Sequence, residues 1–424
     1  MISHPLTPWE GQDLQMPLAM VTVNARDYHV PARPTMVITI DGCDPRYLDD
    51  ALERRLMPRL GAMLDHGGAY TLGRSQMPSF TNTNNISIVT GATPAAHGLP
   101  GNHYLDPGGE EVQLSDPKFL RAPSIHKVLM DNGSRVLCVT AKDKLRRLLA
   151  HGGVPATSAE KAHEFPIPAY GIDDVVTLVG RRNPGPYEWD MSHYALEIGL
   201  AVSRAIGPLD LLNVSTTDFV QHAEGPGGMM ADQYFRRFDE LLGEYLDLGY
   251  VVGMVADHGM NDKHDADGSP RVHYLEDVLE EVGVRDYHVI LPITDPYVVH
   301  HGALGSFAWV HVQPGDVELA QAVIGRLPGV EEVFTRDEAA VIYSHPKDRI
   351  GDLSVASDAS TALGKSASKH DLSVLAGPLR SHGGRHEQIV PIVVSHPLSP
   401  VYAERHRIGV ENRDIHDLVL NGVI

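Results

Sequence analysis

Three apolar runs of this chain end in, or lead directly to, a carboxylate. Thr35 to Ile40 stops at Asp41, Val251 to Ala256 stops at Asp257, and Asp218 follows the run that closes at Ser215. Histidines accompany them: His222 lies four residues after Asp218, His258 follows Asp257 directly, and His382 sits in a glycine-bearing loop near the C-terminus. A carboxylate and an imidazole four apart share one face if the segment begins a helix, and both suit zinc. The ordinary alternatives are a helix N-cap for Asp218 and a surface turn for Asp257 and His258. His386 competes with His382 for the last place. Together Asp41, Asp218, His222, Asp257, His258 and His382 supply six nitrogen and oxygen ligands and no sulfur, enough for two zinc ions. Paired metals about 3.5–4 Å apart clamp the attacking and leaving groups of an in-line phosphoryl displacement.

A nucleophile is available nearby in sequence. Met77 to Asn85 precedes the helical run Ile86 to Val89, which places Thr81 or Thr83 at a helix N-terminus, where backbone N–H groups and the dipole favour a phosphoryl group. A threonine hydroxyl is a weak nucleophile until a metal lowers its pKa; a plain N-cap is the alternative reading. Lys142 and Lys144 follow the run Arg135 to Val139 in an acidic chain, and on one extended face both would reach a carboxylate. An exposed charged loop leading into the helical stretch Leu145 to Ala150 also explains them. Two lookalikes are set aside. The stretch Lys263 to Gly268 has Lys263 at the first position of a calcium loop and reads as a solvated loop, and the Cys43 to Arg46 segment has its arginine one residue too close for a sulfatase motif.

Positioning these groups requires a sheet. The short β-branched run Thr35 to Ile40, a helical pattern from Tyr47 to about Leu64 closed by Gly67 and Gly68, and a strand-like Ala69 to Leu72 spell strand, helix, strand. The grammar recurs at Arg135 to Thr140, Leu209 to Ser215 and Tyr250 to Ala256, with helical patterns at His193 to Ala205 and Ala231 to Leu246. The expectation is an α/β fold, a mostly parallel central sheet with helices on both faces, whose ligands gather beyond the strands' carboxyl ends. Residues 266–368 read as a small inserted α+β cap, with Ser306 to Val312 and Val330 to Phe334 as strands around a helical Val317 to Leu327. The core, residues 30–265, is expected to resume at residues 369–424 with Leu372 to Ala376 and Ile389 to Val394 as strands.

Composition narrows the partners. A chain of 424 residues with 42% hydrophobic content buries a large core, and a net charge of −20 leaves no broad basic face for nucleic acid. Two cysteines, no signal-peptide pattern between Met1 and Arg33 and no long apolar run suggest a soluble cytoplasmic protein without a membrane span.

In this order, Ile40 to Gly42, Pro78 to Thr81, His97 and Gly98 with Asn102, Asp218 with His222, Asp257 to Gly259, and His382 with Gly383 resemble the alkaline phosphatase superfamily over residues 40–395. The phosphonoacetate hydrolases match best, and the nucleotide pyrophosphatase/phosphodiesterases stand next. The resemblance implies an alkaline phosphatase-like fold, with one zinc on Asp41, Thr81, Asp257 and His258 and the other on Asp218, His222 and His382. It further implies that Thr81 attacks phosphorus through a phospho-threonine, that Asn102 binds a phosphoryl oxygen, and that Lys142 and Lys144 bind the acetate end of phosphonoacetate, with His222 also facing substrate. A homodimer is implied too. The same two-metal site would serve a nucleotide pyrophosphatase or phosphodiesterase.

Overall fold

The computed structural model describes residues 19–185, 188–291, 303–375 and 377–424. In chain order, β1 (Thr35–Thr39) leads to α1 (Pro45–Glu53), and β2 (Ala69–Arg74) to α2 (Thr81–Thr90). Next come α3 (Ile125–Asp131), β3 (Val136–Thr140), α4 (Asp143–Leu149), β4 (Ala156–Ser158), α5 (Met191–Ile206) and β5 (Leu211–Ser215). After α6 (Phe219–Ala223), α7 (Met229–Asp247) and β6 (Val251–Val255), the chain builds β7 (Tyr287–Ile290), β8 (Phe307–Val312), β9 (Val330–Thr335) and β10 (Leu353–Ser357). It then returns through β11 (Ile389–Val394).

Seven strands form the central sheet in the order β2-β11-β6-β1-β5-β3-β4, and only β11 runs against the rest. Every residue of β1, β3, β5 and β6 is buried. Burial of alternating side chains on both faces requires cover on both, which is why these strands read as continuous apolar runs rather than alternating ones. One group of helices, α1, α5 and α7, packs together against the sheet; α2, α3 and the short helix Ile415–Asp417 form the other. The α/β expectation is met, and no helix among the described residues is long and apolar enough to cross a membrane.

Strands β7 to β10 make a separate antiparallel sheet, β7-β8-β10-β9, with its own apolar core around Val289, Val310, Ile324, Leu353 and Val355. Parallel pairing of Val272–Tyr274 with Ala362–Gly364 closes the base of this unit.

Several local expectations change. The stretch Tyr47 to Leu64 is two helices, because Arg55 adopts φ +55° and Pro58 begins a new helix, Pro58–Asp65; proline lacks the N–H and clashes with the preceding turn. Leu372–Val374 is a 3-10 turn rather than a core strand, held by Asp371 accepting from the Ser373 N–H, and Ala376 lies outside the described residues. The segment Met20–Val23 pairs with Arg26–His29 as a hairpin that the sequence did not announce. Its turn uses positive φ at Asn24 and Ala25, and alanine is an unusual residue for that conformation.

Candidate active site

Topology sets the site. The neighbouring strands β6, β1, β5 and β3 all run the same way, and their carboxyl ends lead to Asp257 and His258, to Asp41, to Asp218 and to Lys142 respectively. Asp218 stands before α6 without capping it; its Oδ2 lies 2.9 Å from His222 Nε2 instead. That contact removes the N-cap explanation. Gly42 adopts φ +67°, and a Cβ there would come within 2.9 Å of Asp218 Cβ, so only glycine lets β1 and β5 bring their aspartates this close. His382 arrives on the loop before β11 and stacks on His258, ring centroids 3.6 Å apart and planes 3° from parallel. Gly383 (φ +125°) clears the Phe80 ring for that loop.

The candidate ligand atoms fall into two groups, each converging within 4.8 Å: Asp41, Asp257 and His258, wholly buried, and Asp218, His222 and His382, partly open to solvent. Each imidazole directs Nδ1 at a backbone carbonyl: His222 to Arg380 at 2.9 Å, His258 to Gly259 at 2.9 Å and His382 to Ser79 at 2.8 Å. A carbonyl only accepts, so Nδ1 carries a proton and Nε2 is the atom turned to the site. Asp41 Oδ1 is buried 3.2 Å from His258 Nε2. Burial and the neighbouring Asp218 and Asp257 carboxylates push the Asp41 pKa well up, and burial with Asp218 raises Asp257 to about 7. Burial and the facing His258 and His222 keep His382 neutral. Crowded buried carboxylates and three imidazoles whose Nε2 atoms face the site fit a divalent cation in each group.

Thr81 is the first residue of α2, with Phe80 rather than Thr81 at the cap position, and its Oγ1 lies 3.3 Å from His258 Nε2. Thr83 is fully buried and takes no place in the site. Asn102 lies half-buried between the helix Pro94–His97 and the strand His103–Leu105. Lys142 is exposed, just beyond the carboxyl end of β3 and next in the sheet to the strand that leads to Asp218. It precedes α4 and Lys144 lies within that helix, so the two do not alternate on one extended face. His386 turns away to pair with Glu331 at 2.9 Å.

Two buried supports were missed by sequence reading. Lys263 is no part of a solvated loop: it and Glu387 are fully buried, Nζ to Oε1 2.8 Å, and Nζ also donates to Ala359 O at 2.8 Å. Glu387 further accepts from Asn261 Nδ2 and Gly384 N, and its carbonyl accepts from Gly259 N at 2.6 Å. The pair thereby ties the His258 and His382 loops together. Lys263→Met should lower stability by about 3–5 kcal/mol, since it strands a buried carboxylate; denaturant unfolding checks this, and a loss under 1 kcal/mol would contradict the role. The second support, Asn85, is one turn beyond Thr81, where only a bare i+4 spacing gave a signal.

The family described as type I phosphodiesterase / nucleotide pyrophosphatase matches residues 35–386. Two crystal structures of phosphonoacetate hydrolase from Sinorhizobium meliloti, one with phosphonoformate and one with phosphonoacetate, are 42% identical, with TM-score 0.89 over 96% of this chain and 99% of theirs. Murine ectonucleotide pyrophosphatase / phosphodiesterase 5 shares the fold at 17% identity and TM-score 0.63, over 91% of this chain and 94% of its own. A match across the central sheet and the segments carrying both ligand groups leaves one assignment: the chain belongs to the type I phosphodiesterase / nucleotide pyrophosphatase family of metal-dependent hydrolytic enzymes.

Proposed function

We propose that this chain hydrolyses the carbon–phosphorus bond of phosphonoacetate, giving acetate and phosphate. The observation that carries the reading is the 42% identity, over almost the whole chain, to a hydrolase whose structures hold phosphonoacetate and phosphonoformate. Lys142 supports it, as a cation at the carboxyl end of the strand adjacent to the one that leads to Asp218.

In this reading Asp41, Thr81, Asp257 and His258 hold one zinc ion, and Asp218, His222 and His382 the other. When bound, the ions lower the pKa of the Thr81 hydroxyl and neutralise phosphonate oxygens. Thr81 Oγ gives up its proton to solvent and bonds to phosphorus as the P–C bond breaks. The released electron pair moves onto the methylene carbon and into the adjacent carboxylate, where Lys142 and Lys144 stabilise it. His222 faces the bound substrate, and Asn102 donates to a phosphoryl oxygen. The methylene takes a proton from water to become acetate, the hydroxide left behind is neutralised by the proton that Thr81 released, and a second water cleaves the phospho-threonine, releasing phosphate and restoring the Thr81 hydroxyl.

Phosphate release from phosphonoacetate by zinc-loaded protein, with and without chelator, tests the proposal. Methylphosphonate has no carboxylate to accept the electron pair and should not react; equal turnover of the two would sink the mechanism. Lys142→Ala should raise KM for phosphonoacetate roughly 10- to 100-fold, the worth of one charge-assisted hydrogen bond. Steady-state kinetics reads this, and an unchanged KM would remove Lys142 from the substrate site. The family match favours one second reading, hydrolysis of a phosphodiester or nucleotide pyrophosphate with the same Thr81. A nitrophenyl phosphodiester assayed beside phosphonoacetate separates the two.

A further inference from the structure

Asn85 is 1% exposed and makes no contribution to the surface, yet it is polar at every edge. Its Nδ2 donates to Thr81 O at 3.0 Å and to Asp257 Oδ2 at 2.9 Å, and its Oδ1 accepts from Ser215 Oγ at 2.9 Å. A carbonyl and a carboxylate on one side can only accept, so the amide has a single workable orientation. The other Asp257 oxygen, Oδ1, accepts from the N–H groups of Gly42 at 3.2 Å and His258 at 3.0 Å. Asn85 thus holds Oδ2 of that carboxylate while backbone N–H groups hold Oδ1. Ser215 ends β5, three residues before Asp218. One buried amide therefore joins the helix of Thr81, the loop of Asp257 and the strand that leads to Asp218.

We infer that Asn85 is a positioning residue: it sets the rotation of the Asp257 carboxylate relative to Thr81, so that the buried ligand group and the attacking hydroxyl are assembled as one unit. The inference rests on Asp257 as a cation ligand and Thr81 as nucleophile. A carboxylate's terminal torsion is broad, and a charge-assisted donor on one oxygen both narrows it and directs the remaining lone pair. Backbone donors alone fix only Oδ1. A leucine at position 85 would fill space but leave Oδ2 undirected, an alanine would leave a cavity as well, and an aspartate would oppose Oδ2.

The test combines calorimetric titration with zinc alone and phosphate-release kinetics, on Asn85→Ala, Asn85→Asp and Ser215→Ala. Both Asn85 variants should lose roughly 10- to 100-fold in affinity for one of the two zinc ions and a similar factor in kcat, with KM within about twofold of wild type. Asn85→Asp should lose more, because two carboxylates then face each other. Ser215→Ala, which leaves the amide unheld on its far side, should shift the same quantities in the same direction by a smaller factor. Loss of packing alone would lower the unfolding temperature without selecting one zinc site or sparing KM. Wild-type affinity for both zinc ions and wild-type kcat in a folded Asn85 variant would overturn the inference; if neither variant folds, the same result in Ser215→Ala would do so. Because the titration uses no substrate, it judges Asn85 even if the wild-type protein leaves phosphonoacetate untouched, an outcome that would count against the substrate reading only.

Discussion

Thr81→Ala should bind zinc at both ligand groups and release no measurable phosphate from phosphonoacetate, a loss of at least about 10⁴-fold in kcat on the scale of other deleted nucleophiles. Thr81 begins α2, partly exposed, with its hydroxyl 3.3 Å from His258 Nε2, the one side-chain contact that the hydroxyl makes among the described residues. Nothing else in the packing depends on it, so the unfolding temperature should hardly move. Asp41, Asp257 and His258 still converge without it. Thr81→Ser keeps an oxygen at the same place and should retain part of the activity. Metal analysis beside phosphate release checks both halves. A Thr81→Ala protein that hydrolysed phosphonoacetate at a tenth of the wild-type rate would mean that water, not Thr81, attacks phosphorus.

Removal of metal should abolish activity and also expose a pH dependence of stability that the loaded protein lacks. The physical reason is Asp257, buried beside Asp218 and raised to about 7. A carboxyl whose folded pKa lies above its unfolded value near 3.9 binds more protons when folded, so stability falls as pH rises between the two values. Below about pH 4 both states are protonated and nothing is lost. From about pH 4 to 7 the chelated protein should lose on the order of 4 kcal/mol, and above pH 7 the deficit should level off. Bound cations keep the carboxylate ionised in the folded state and cancel the effect. They also add about 4 kcal/mol per site at a thousandfold excess over Kd. Urea unfolding at pH 5 and pH 7.5, with zinc and with chelator, reads both contributions. Equal stability with and without zinc at pH 7.5 would contradict a cation at the Asp41, Asp257 and His258 group.

How far the chain could be read without coordinates differs from residue to residue. Asp41, Asp218, Asp257 and His258 were legible because each closes or follows an apolar run, and a parallel sheet delivers every such strand end to one edge. The core strands were legible for the same reason, since burial on both faces leaves an unbroken apolar run. Asp218 was ambiguous as a possible cap until its side chain was seen turned to His222. The paired lysines misled: a strand ends and a helix begins between them, a change of period that two residues cannot signal.

Sequence by itself determined the kinds of group present and the strands that carry them, because composition, periodicity and strand-terminal position are local properties. Only the tertiary structure decided which groups meet. Strand order placed β1 between β6 and β5 and so divided the candidate ligands into two sets. Loop closure brought His382 onto His258 and sent His386 to Glu331. The supports, Lys263 with Glu387 and Asn85 with Ser215, are contacts across 124 and 130 residues of chain. Such pairs have no local pattern, since each partner taken alone is an ordinary polar residue in a loop, helix or strand, and only folding removes the water that would otherwise satisfy it.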